Sequence, residues 1–466
     1  MKRTKIVATI GPASASPAIL RQMIQAGMNV ARMNMSHGTH AWHHKTITAA
    51  RAAGKRLHHT VGILVDLQGP KIRVGELPKA GIKLVKGTTI VFTTDPKEKM
   101  RGAVPVTYSN MHRDVRKGEH ILLDDGLLEA VIVKISGRRV YAKVLVGGML
   151  TSHKGFNLPQ TAMHVPSVSE KDRDDARFAV AEKADWVALS FVHTAKDVLN
   201  LRRLIGSGHS APKIIVKIER PEALKNFDAI LAATDAVMVA RGDLGIEIPA
   251  EQVPIVQKTI IQKCLAAGKP VVVATQMLDS MTRNPRPTRA EVSDVANAVI
   301  DHADAVMLSG ESATGKYPVL AVKTMAAIAA EAEASHFDDL PQVAHHEPET
   351  VRAAVASVAG ELAERVGATA IVVATKSGDT ARFIARTRPE LPIYAATPTP
   401  TAAAQVALTW GALPFVVPMA NTIPSLVRAM LAKLKAMKKV KKGDRIVLVA
   451  GRWRELREYA LQVIEV

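Results

Sequence analysis

Residues 213–243 read KIIVKIERPEALKNFDAILAATDAVMVARGD, and this stretch decides the fold. It contains two short, almost continuously apolar runs, residues 213–219 and 235–241, and each run ends in charged residues. Such runs are typical of parallel strands that are buried on both faces, because helices cover both sides of a parallel sheet. The stretch therefore predicts one strand–helix–strand unit.

The same pattern recurs along the chain. Six further apolar runs lie at residues 4–10, 30–36, 62–68, 186–192, 270–276 and 304–310. Helical stretches such as residues 17–26 and 253–267 lie between them. Eight strand–helix units predict an α/β fold in the form of a (β/α)₈ TIM barrel, with an open doubly wound sheet as the alternative.

A long insertion separates the third run from the fourth. More than a hundred residues lie between Gln68 and Trp186, whereas a strand–helix–strand unit needs about thirty. Residues 89–93, 128–135 and 140–145 alternate between apolar and polar positions, as strands do. The pattern predicts an inserted all-β lid domain, residues 70–166, within a barrel made of residues 1–69 and 167–336.

The last part of the chain forms a separate pattern. A polar stretch at residues 336–349 is followed by alternating helical and apolar runs up to residue 449. This predicts a smaller C-terminal α/β domain, residues 337–466. Domains of about this size agree with a chain of 466 residues.

Composition excludes several classes of protein. Apolar residues make up 47% and charged residues 23%, which excludes a disordered chain and a membrane bundle. A single cysteine excludes an internal disulfide framework. Because the first residues lack an apolar core followed by a cleavage site, a cytoplasmic location is expected.

The charge balance points to anionic ligands. Lysine and arginine number 62 and aspartate and glutamate 43, a formal net charge of +19. Aromatic residues are only 4%, whereas nucleic-acid binders combine basic patches with aromatic side chains. Phosphorylated metabolites are therefore favoured over nucleic acid, although a basic nucleic-acid binder stays an alternative.

Charged side chains are expected to meet at the carboxyl ends of the strands, where barrel enzymes hold their active sites. Lys217 and Glu219 are two residues apart on one strand and therefore share a face. Glu219 and Asp243 end neighbouring strands, and two carboxylates suit Mg²⁺. The alternative is a structural Lys–Glu ion pair.

Other polar segments indicate a functional site less clearly than residues 217–219 and 243 do. Residues 32–37 (RMNMSH) contain groups that suit a phosphate, or else a helix cap. Residues 310–316 (GESATGK) match the opening of a P-loop, but Tyr317 stands where a Mg²⁺-binding Ser or Thr is needed. The adjacent histidines His43 and His44 point apart on a helix and are predicted to be solvent exposed.

Several strings of residues carry a resemblance to a known family. Residues 238–249 (MVARGDLGIEIP) and 284–291 (NPRPTRAE), together with residues 4–12, 29–38 and 66–73, resemble the pyruvate kinase family. The resemblance implies a barrel, a β lid and a C-terminal effector and assembly domain. It also implies a phosphotransferase of glycolysis that converts phosphoenolpyruvate and ADP to pyruvate and ATP, as a homo-oligomer, expected to be a tetramer.

The resemblance also implies roles at the barrel mouth. Glu219 and Asp243 would hold Mg²⁺ or Mn²⁺. The backbone of Gly242, Asp243 and the Thr275 hydroxyl would bind the substrate, and Thr275 is a candidate proton donor. Lys217 would stabilise the transition state. A lyase or aldolase that stabilises pyruvate enolate with Mg²⁺ is the alternative enzyme, and ADP dependence separates the two.

For the nucleotide and the transferred group, the resemblance implies a second set of residues. Arg32 would bind the phosphoryl group, and Asn34, His37, Arg73 and Lys154 would contact the nucleotide.

A monovalent site is implied as well, formed by Asn34, Ser36, Asp66 and the Leu67 carbonyl around K⁺. Lys71 stands where K⁺-dependent members typically have glutamate. Its ammonium is therefore an alternative to the bound ion.

An effector site is implied in the C-terminal domain. The phosphate of an effector would bind to Thr375, Lys376, Ser377, Gly378 and Thr380. A second, glycine-rich effector loop is not recognisable in residues 451–459 (GRWRELREY), which predicts a sugar monophosphate or AMP, or no effector, rather than fructose 1,6-bisphosphate. The alternative for the first loop is a simple helix cap.

Overall fold

The computed structural model describes residues 2–95, 103–161, 166–339, 350–418, 420, 422–450 and 459–466. Its strands, in chain order, are β1 (Lys5–Thr9), β2 (Val30–Asn34), β3 (Gly62–Asp66), β4 (Ile82–Leu84), β5 (Thr89–Thr93), β6 (Ala103–Pro105), β7 (His120–Leu123), β8 (Leu128–Ser136), β9 (Arg139–Val146), β10 (Gly148–Leu150), β11 (Phe156–Asn157), β12 (Trp186–Leu189), β13 (Lys213–Ile218), β14 (Ala236–Ala240), β15 (Val271–Ala274), β16 (Ala305–Leu308), β17 (Ala370–Ala374), β18 (Ile393–Thr397), β19 (Ala412–Val416), β20 (Arg445–Ala450) and β21 (Ala460–Glu465).

The α-helices are α1 (Pro17–Ala26), α2 (His40–Arg56), α3 (Met111–Asp114), α4 (Glu170–Ala181), α5 (Ala195–Ile205), α6 (Pro221–Lys225), α7 (Phe227–Ala233), α8 (Arg241–Glu247), α9 (Val253–Ala267), α10 (Arg289–Ile300), α11 (Gly310–Ala313), α12 (Pro318–Glu333), α13 (Val351–Arg365), α14 (Asp379–Ala385), α15 (Pro400–Val406) and α16 (Ile423–Ala436). Short 3₁₀ helices cover Ala250–Gln252, Asp279–Thr282 and His336–Asp338. No helix in these ranges is both long and apolar enough to cross a membrane.

Eight parallel strands close into a barrel in the order β1-β16-β15-β14-β13-β12-β3-β2. Strand β1 pairs with β2 on one side and with β16 on the other, so the sheet has no free edge. The predicted barrel is confirmed, and the open doubly wound sheet is wrong.

Alternate residues of the barrel strands face two different cores. Val7, Val30, Leu64 and Ile215 belong to a buried cluster inside the barrel. Their neighbours, such as Ile6, pack outward against the helices. Because side chains alternate along a strand, the residues two positions beyond the interior ones also point inward, at the carboxyl (upper) end of the barrel. This alternation determines which polar side chains enter the site.

The inserted domain leaves the barrel after β3 and returns before α4. Its strands form a six-stranded sheet, β11-β7-β8-β9-β5-β6, and a two-stranded sheet, β10-β4. They surround an apolar core that is separate from the barrel core. The expectation of an all-β insertion needs one correction, since the four-residue helix α3 lies within it.

One buried carboxylate joins the two connections of this insertion. Asp172 Oδ1 accepts a hydrogen bond from Gly69 N at 3.0 Å, on the outgoing connection. Its Oδ2 accepts one from Ser169 N at 2.9 Å, on the returning connection, where Ser169 and Asp172 form the capping box of α4. Both connections of the inserted domain are thus hydrogen-bonded to the N-terminus of α4. Residues 162–165 of the predicted lid lie outside the described residues.

The C-terminal unit is a five-stranded sheet in the order β19-β18-β17-β20-β21, with helices on it. Its last strand, β21, runs antiparallel to β20 and was not predicted. The unit covers the lower end of the barrel, where Leu408 joins the interior cluster and Lys5 Nζ donates a hydrogen bond to Ala412 O at 2.7 Å. Residues 340–349, in the predicted linker, and residues 451–458, in the predicted second effector segment, lie outside the described residues, and the domain limits stay a prediction.

Three aspartates at the lower end of the barrel make the same kind of hydrogen bond. Asp185, Asp235 and Asp304 each precede a strand, and each carboxylate accepts a hydrogen bond from a backbone N–H of a neighbouring strand at 2.8–3.0 Å. Asp235 and Asp304 also form ion pairs with arginine. Asp185 forms none within the described part of the chain. Its burial raises the pKa of the carboxyl to about 7, although the hydrogen bond from Ile63 N opposes the shift.

The Tm of Asp185→Asn relative to wild type should rise with pH. The folded protein holds the Asp185 proton up to about pH 7, whereas the unfolded chain releases it near 3.8. The free energy of unfolding therefore falls between these values, by up to about 1.4 kcal/mol per pH unit. Because asparagine stays neutral, the variant does not share this fall, and its Tm relative to wild type should rise from pH 5 to pH 8. A Tm difference between variant and wild type that is the same at both pH values would contradict this, and Asp235→Asn is the matched control, expected to lower Tm at both.

Candidate functional site

A cluster of charged side chains fills the upper end of the barrel interior. Arg32 lies two residues beyond the interior Val30 and is nearly fully buried. Its Nε donates to Asp66 Oδ2 at 2.7 Å, and its Nη1 donates to Thr9 Oγ1, also at 2.7 Å. The guanidinium is therefore held in one orientation by strands on both sides of β2.

Lys217 joins this cluster from the opposite wall. Its Nζ lies 2.8 Å from Glu219 Oε1 and 3.7 Å from Asp66 Oδ1, and it donates a hydrogen bond to Ser190 Oγ at 2.9 Å. Ser190 in turn donates to Leu67 O at 2.7 Å. Sequence reasoning assigned no role to Ser190, although its position two residues beyond the interior Ala188 was a signal that could have found it.

Electrostatics keep Lys217 charged. Burial lowers the pKa of its ammonium, but the carboxylates of Asp66, Glu219 and Asp243 more than offset this, and the pKa is raised above its ordinary value. The pKa of Glu219 is raised to about 7, because burial and the Asp243 carboxylate raise it by more than Lys217 lowers it. The cluster therefore has carboxylates whose mutual repulsion an additional cation would relieve.

The pair Glu219 and Asp243 fits a divalent cation. Glu219 is completely buried, and its Oε2 accepts a hydrogen bond from Phe191 N at 2.7 Å. Apart from the ion pair with Lys217, Oε1 accepts no hydrogen bond in the described part of the chain. No group of three or more Asp, Glu, His or Cys side chains suited to a metal occurs among the described residues. Two carboxylates are enough for Mg²⁺, which keeps waters and substrate oxygens as its other ligands.

Helix α8 begins directly after β14 and places Gly242 and Asp243 at the mouth. Gly242 N donates a hydrogen bond to Thr275 Oγ1 at 2.7 Å. The hydroxyl in turn donates to Ala274 O at 2.6 Å, so the two groups are adjacent at the mouth and bonded within the protein. Lys71 Nζ, from the start of the insertion, lies 3.7 Å from Asp243 Oδ1.

Some of the oxygens proposed to bind a monovalent ion already accept hydrogen bonds from described residues, and one does not. Asn34 Oδ1 accepts from Ser36 N at 3.1 Å, and the Leu67 carbonyl accepts from Ser190. Asp66 Oδ1 is buried and accepts no hydrogen bond from any described residue, so it is free to face a cation. The nearest cation recorded beside it is the Lys217 ammonium.

The neighbouring loop brings one correction. His37 is exposed, and its carbonyl lies 2.8 Å from His43 Nε2. His43 is therefore buried, and the prediction that both adjacent histidines are solvent exposed is wrong for this one. Burial also lowers the pKa of His43.

Two predicted nucleotide contacts lie within the lid itself. Arg73 Nη1 donates to His153 O at 2.9 Å. Lys154 Nζ lies 2.8 Å from Asp124 Oδ1, and this hydrogen-bonded pair raises the pKa of Lys154. The two residues lie on neighbouring segments of the lid, since Arg73 and Gly155 form a β-bridge. Among the described residues, both side chains therefore contact other lid residues and not the residues at the barrel mouth.

The predicted effector loop joins β17 to α14. Its hydroxyls bond within the loop: Thr375 Oγ1 accepts from Gly378 N at 3.0 Å, and Ser377 Oγ donates to Asp379 Oδ2 at 2.7 Å. Gly378 has a φ of +87°, and a side chain there would approach Val406 to 2.8 Å. Thr380 is buried at the first turn of the helix. The loop is thus ordered by its own hydrogen bonds.

The P-loop alternative does not fit the structure. Residues 310–313 form the short helix α11 at the end of the eighth barrel strand. Glu311 within it accepts hydrogen bonds from Leu278 N at 3.1 Å and Ser309 N at 2.7 Å. The segment therefore places a buried carboxylate, which accepts backbone hydrogen bonds, where a P-loop would present N–H groups to an anion.

Comparison with known proteins gives the same family throughout. Residues 1–322 match the family model "Pyruvate kinase, barrel domain", and residues 353–459 match "Pyruvate kinase, alpha/beta domain". The chain is 44% identical over 450 residues to a pyruvate kinase of Corynebacterium efficiens, covering 97% of this chain and 94% of that protein. It is 43% identical over 450 residues to one of Mycobacterium tuberculosis, covering 97% and 95%.

A solved structure agrees. The crystal structure of a pyruvate kinase from Cryptosporidium parvum matches with a TM-score of 0.91 and 38% identity, covering 100% of this chain and 96% of that one. The chain belongs to the pyruvate kinase family.

Proposed function

We propose that the cluster of charged side chains at the barrel mouth carries out the reaction of this family. In that reaction a phosphoryl group passes from phosphoenolpyruvate to ADP, giving pyruvate and ATP. The observation that carries the proposal is the buried Lys217 ammonium, which lies between the carboxylates of Glu219 and Asp66. Phosphoryl transfer depends on positioning and on neutralising charge, and this cluster has the groups for both.

Glu219 and Asp243 would hold Mg²⁺ or Mn²⁺. When bound, the divalent ion neutralises charge on substrate oxygens. The Gly242 N–H and the Thr275 hydroxyl, which now donate to Thr275 Oγ1 and to Ala274 O, would exchange these bonds for the substrate carboxylate. The substrate would thereby lie in the barrel mouth with its phosphoryl group toward Arg32.

Arg32 and Lys217 would stabilise the charge that develops during transfer. Arg32 presents a guanidinium held by Asp66 and Thr9, and a fixed fork of donors suits a phosphoryl group. The Lys217 ammonium stays protonated, so it stabilises the enolate oxygen formed when the phosphoryl group leaves. A proton is then added at carbon, for which the Thr275 hydroxyl is our candidate.

The nucleotide would bind between the barrel and the lid. Asn34 and His37 lie on the barrel loop, while Arg73 and Lys154 lie together on the lid. We infer that the lid pair turns toward the mouth when ADP binds, exchanging its present partners for phosphate oxygens.

A dependence on ADP tests this function. Pyruvate released from phosphoenolpyruvate is followed with lactate dehydrogenase and NADH, with Mg²⁺ and with or without ADP. Turnover that requires ADP supports the kinase. Pyruvate formed equally without ADP, or formed from a larger carbon skeleton, would instead support the lyase alternative. Salt-sensitive binding of DNA would support the nucleic-acid alternative.

The enzyme should not need K⁺. Lys71 Nζ, 3.7 Å from Asp243 Oδ1, adds a fixed positive charge at the mouth. We therefore expect wild type to retain most of its activity when tetramethylammonium replaces K⁺. Lys71→Glu should lose on the order of 10²-fold without K⁺, the size expected for one charge-stabilising group, and should recover when K⁺ is added.

Lys79→Glu makes the same charge change at an exposed lid position and is the matched control. It should remain independent of K⁺. A wild-type enzyme that loses all activity without K⁺ at saturating substrates would overturn the role of Lys71 and would favour an ion bound by Asn34, Ser36, Asp66 and the Leu67 carbonyl.

Three further properties are part of the proposal. A sugar monophosphate or AMP is the expected effector, with its phosphate at Thr375, Lys376, Ser377, Gly378 and Thr380. A stronger response to fructose 1,6-bisphosphate than to ribose 5-phosphate or AMP would contradict this. The protein is expected to be a homotetramer in the cytoplasm, where glycolysis takes place.

A further inference from the structure

Thr275 has an unusual backbone conformation for its residue type. Its φ is +70°, and the next residue, Gln276, has a φ of +55°. A β-branched residue is seldom found in this left-handed region, because its Cβ crowds the backbone. Such a conformation persists only where surrounding contacts impose it, and it is concentrated at functional sites.

Three hydrogen bonds fix Thr275. Its hydroxyl donates to Ala274 O at 2.6 Å and accepts from Gly242 N at 2.7 Å. Its carbonyl accepts from Arg241 Nη2 at 2.8 Å. The donors of two of these bonds, Gly242 N and the Arg241 side chain, belong to adjacent residues of α8.

Arg241 is itself fixed by helix α10. Its Nη1 lies 2.6 Å from Asp294 Oδ1 and its Nη2 2.7 Å from Asp294 Oδ2, a two-pronged pair. The Arg241 side chain is mostly buried, at 13% exposed. The planar guanidinium can make these contacts and reach the Thr275 carbonyl at once, whereas a lysine ammonium lacks this fixed fork.

We propose that Arg241, held by Asp294, is a positioning residue that keeps Thr275 in its left-handed conformation, with its hydroxyl beside Gly242 N at the place proposed for the substrate carboxylate. It acts through Thr275 and need not touch the substrate. This inference rests on the substrate-binding role proposed above for Thr275. It adds that the loop after β15 is aligned by a pair of residues from two other elements, α8 and α10.

The test begins with Arg241→Lys, which keeps the charge and removes the fork. Misplacing a group that contacts the substrate costs about 10- to 100-fold, so kcat/KM for phosphoenolpyruvate should fall by that factor. KM for ADP and the half-saturating Mg²⁺ concentration should not change. Oxalate, a planar dianion that resembles pyruvate enolate, should bind more weakly in the presence of Mg²⁺, measured as a smaller rise in Tm.

Asp294→Asn is the second variant, since it keeps the shape of the side chain and is less disruptive to folding. It should produce a smaller change of the same kind. The matched control is Arg202→Lys, because Arg202 Nη2 lies 2.6 Å from Asp235 Oδ2 at the lower end of the barrel. This control makes the same substitution in an arginine that pairs with an aspartate, but it should keep the kinetic constants of wild type.

A double-mutant cycle with Thr275→Ala decides whether Arg241 acts through Thr275. If it does, Arg241→Lys should lower kcat/KM in the wild-type background and have little further effect once Thr275 is alanine. Multiplicative losses in the cycle, or losses in Arg241→Lys that affect phosphoenolpyruvate, ADP and Mg²⁺ alike, would overturn the inference. The proposed function fails separately, if wild type shows no ADP-dependent turnover or if Thr275→Ala alone leaves kcat/KM unchanged.

Discussion

Lys217→Met is expected to lower kcat by about 10³-fold or more, the largest loss among the single substitutions considered. Removing one preorganised charge-stabilising group from an active site costs 10²–10³-fold, and the Lys217 ammonium also lies 2.8 Å from Glu219 Oε1 and 3.7 Å from Asp66 Oδ1. Its loss leaves the buried Glu219 without its ion-pair partner, whereas Asp66 keeps its pair with Arg32, so Tm should fall as well. Initial rates at saturating phosphoenolpyruvate, ADP and Mg²⁺, with melting curves at the same Mg²⁺ concentration, measure both effects.

Lys213→Met is the matched control for this prediction. Lys213 lies on the same strand, at its lower end, and its Nζ is 4.0 Å from Asp235 Oδ1. The substitution is identical and the side chain is similarly enclosed, but the site is remote, so kcat should be retained. If Lys217→Met keeps kcat within the range of Lys213→Met, the ammonium has no catalytic role.

Glu219→Gln and Asp243→Asn should weaken the divalent site. Changes to the residues that support metal ligands lower affinity by 10–100-fold, and loss of a charged ligand should cost at least about 10²-fold. Glutamine keeps an oxygen that can accept from Phe191 N, now 2.7 Å from Glu219 Oε2, so the fold should persist. The measurements are the half-saturating Mg²⁺ concentration in turnover and, independently of activity, Mn²⁺ binding by electron paramagnetic resonance.

A neighbouring carboxylate provides the control for the metal prediction. Glu222 follows Glu219 by three residues, pairs with Arg220 at 3.3 Å and is partly exposed. Glu222→Gln should leave Mn²⁺ affinity at the wild-type value. Unchanged Mn²⁺ binding in both Glu219→Gln and Asp243→Asn would show that the ion binds elsewhere, and the structural Lys–Glu pair would then be the better interpretation of residues 217 and 219.

The barrel and the centre of the site were predictable because they follow from local rules. Apolar runs on both faces indicated buried parallel strands, and the period of two placed Lys217 and Glu219 on one face of their strand. The carboxyl ends of parallel strands converge in a barrel, so these charges had to meet. The contact between Lys217 and Glu219 is the outcome of that geometry.

Other features depend on contacts distant in the sequence. Ser190 is a common residue type, and only its two partners, Lys217 and the Leu67 carbonyl, give it a place in the site. The alignment of Thr275 depends on Arg241 and Asp294, which lie 53 residues apart. His43 resembled a surface histidine because only the fold places its ring beside the His37 carbonyl. No periodic pattern records such pairings.

The roles of Arg73 and Lys154 in the lid could not be predicted from contacts in one conformation. Resemblance assigned Arg73 and Lys154 to the nucleotide, but in this structure they contact His153 O and Asp124. Their assignment therefore depends on a movement of the lid, which neither sequence patterning nor one conformation describes. Titrating the Lys154→Gln variant with ADP would measure its part: KM for ADP should rise while KM for phosphoenolpyruvate is unchanged.

The most direct measurement is ³¹P NMR of the wild-type enzyme with phosphoenolpyruvate, ADP and Mg²⁺ in a K⁺-free buffer. The account predicts that the phosphoenolpyruvate signal is replaced, one for one, by the γ-phosphate of ATP, and that the Lys217→Met variant shows no replacement on the same timescale. Release of inorganic phosphate in place of ATP, or loss of phosphoenolpyruvate without ADP, would contradict the claim that this barrel mouth transfers a phosphoryl group between the two substrates.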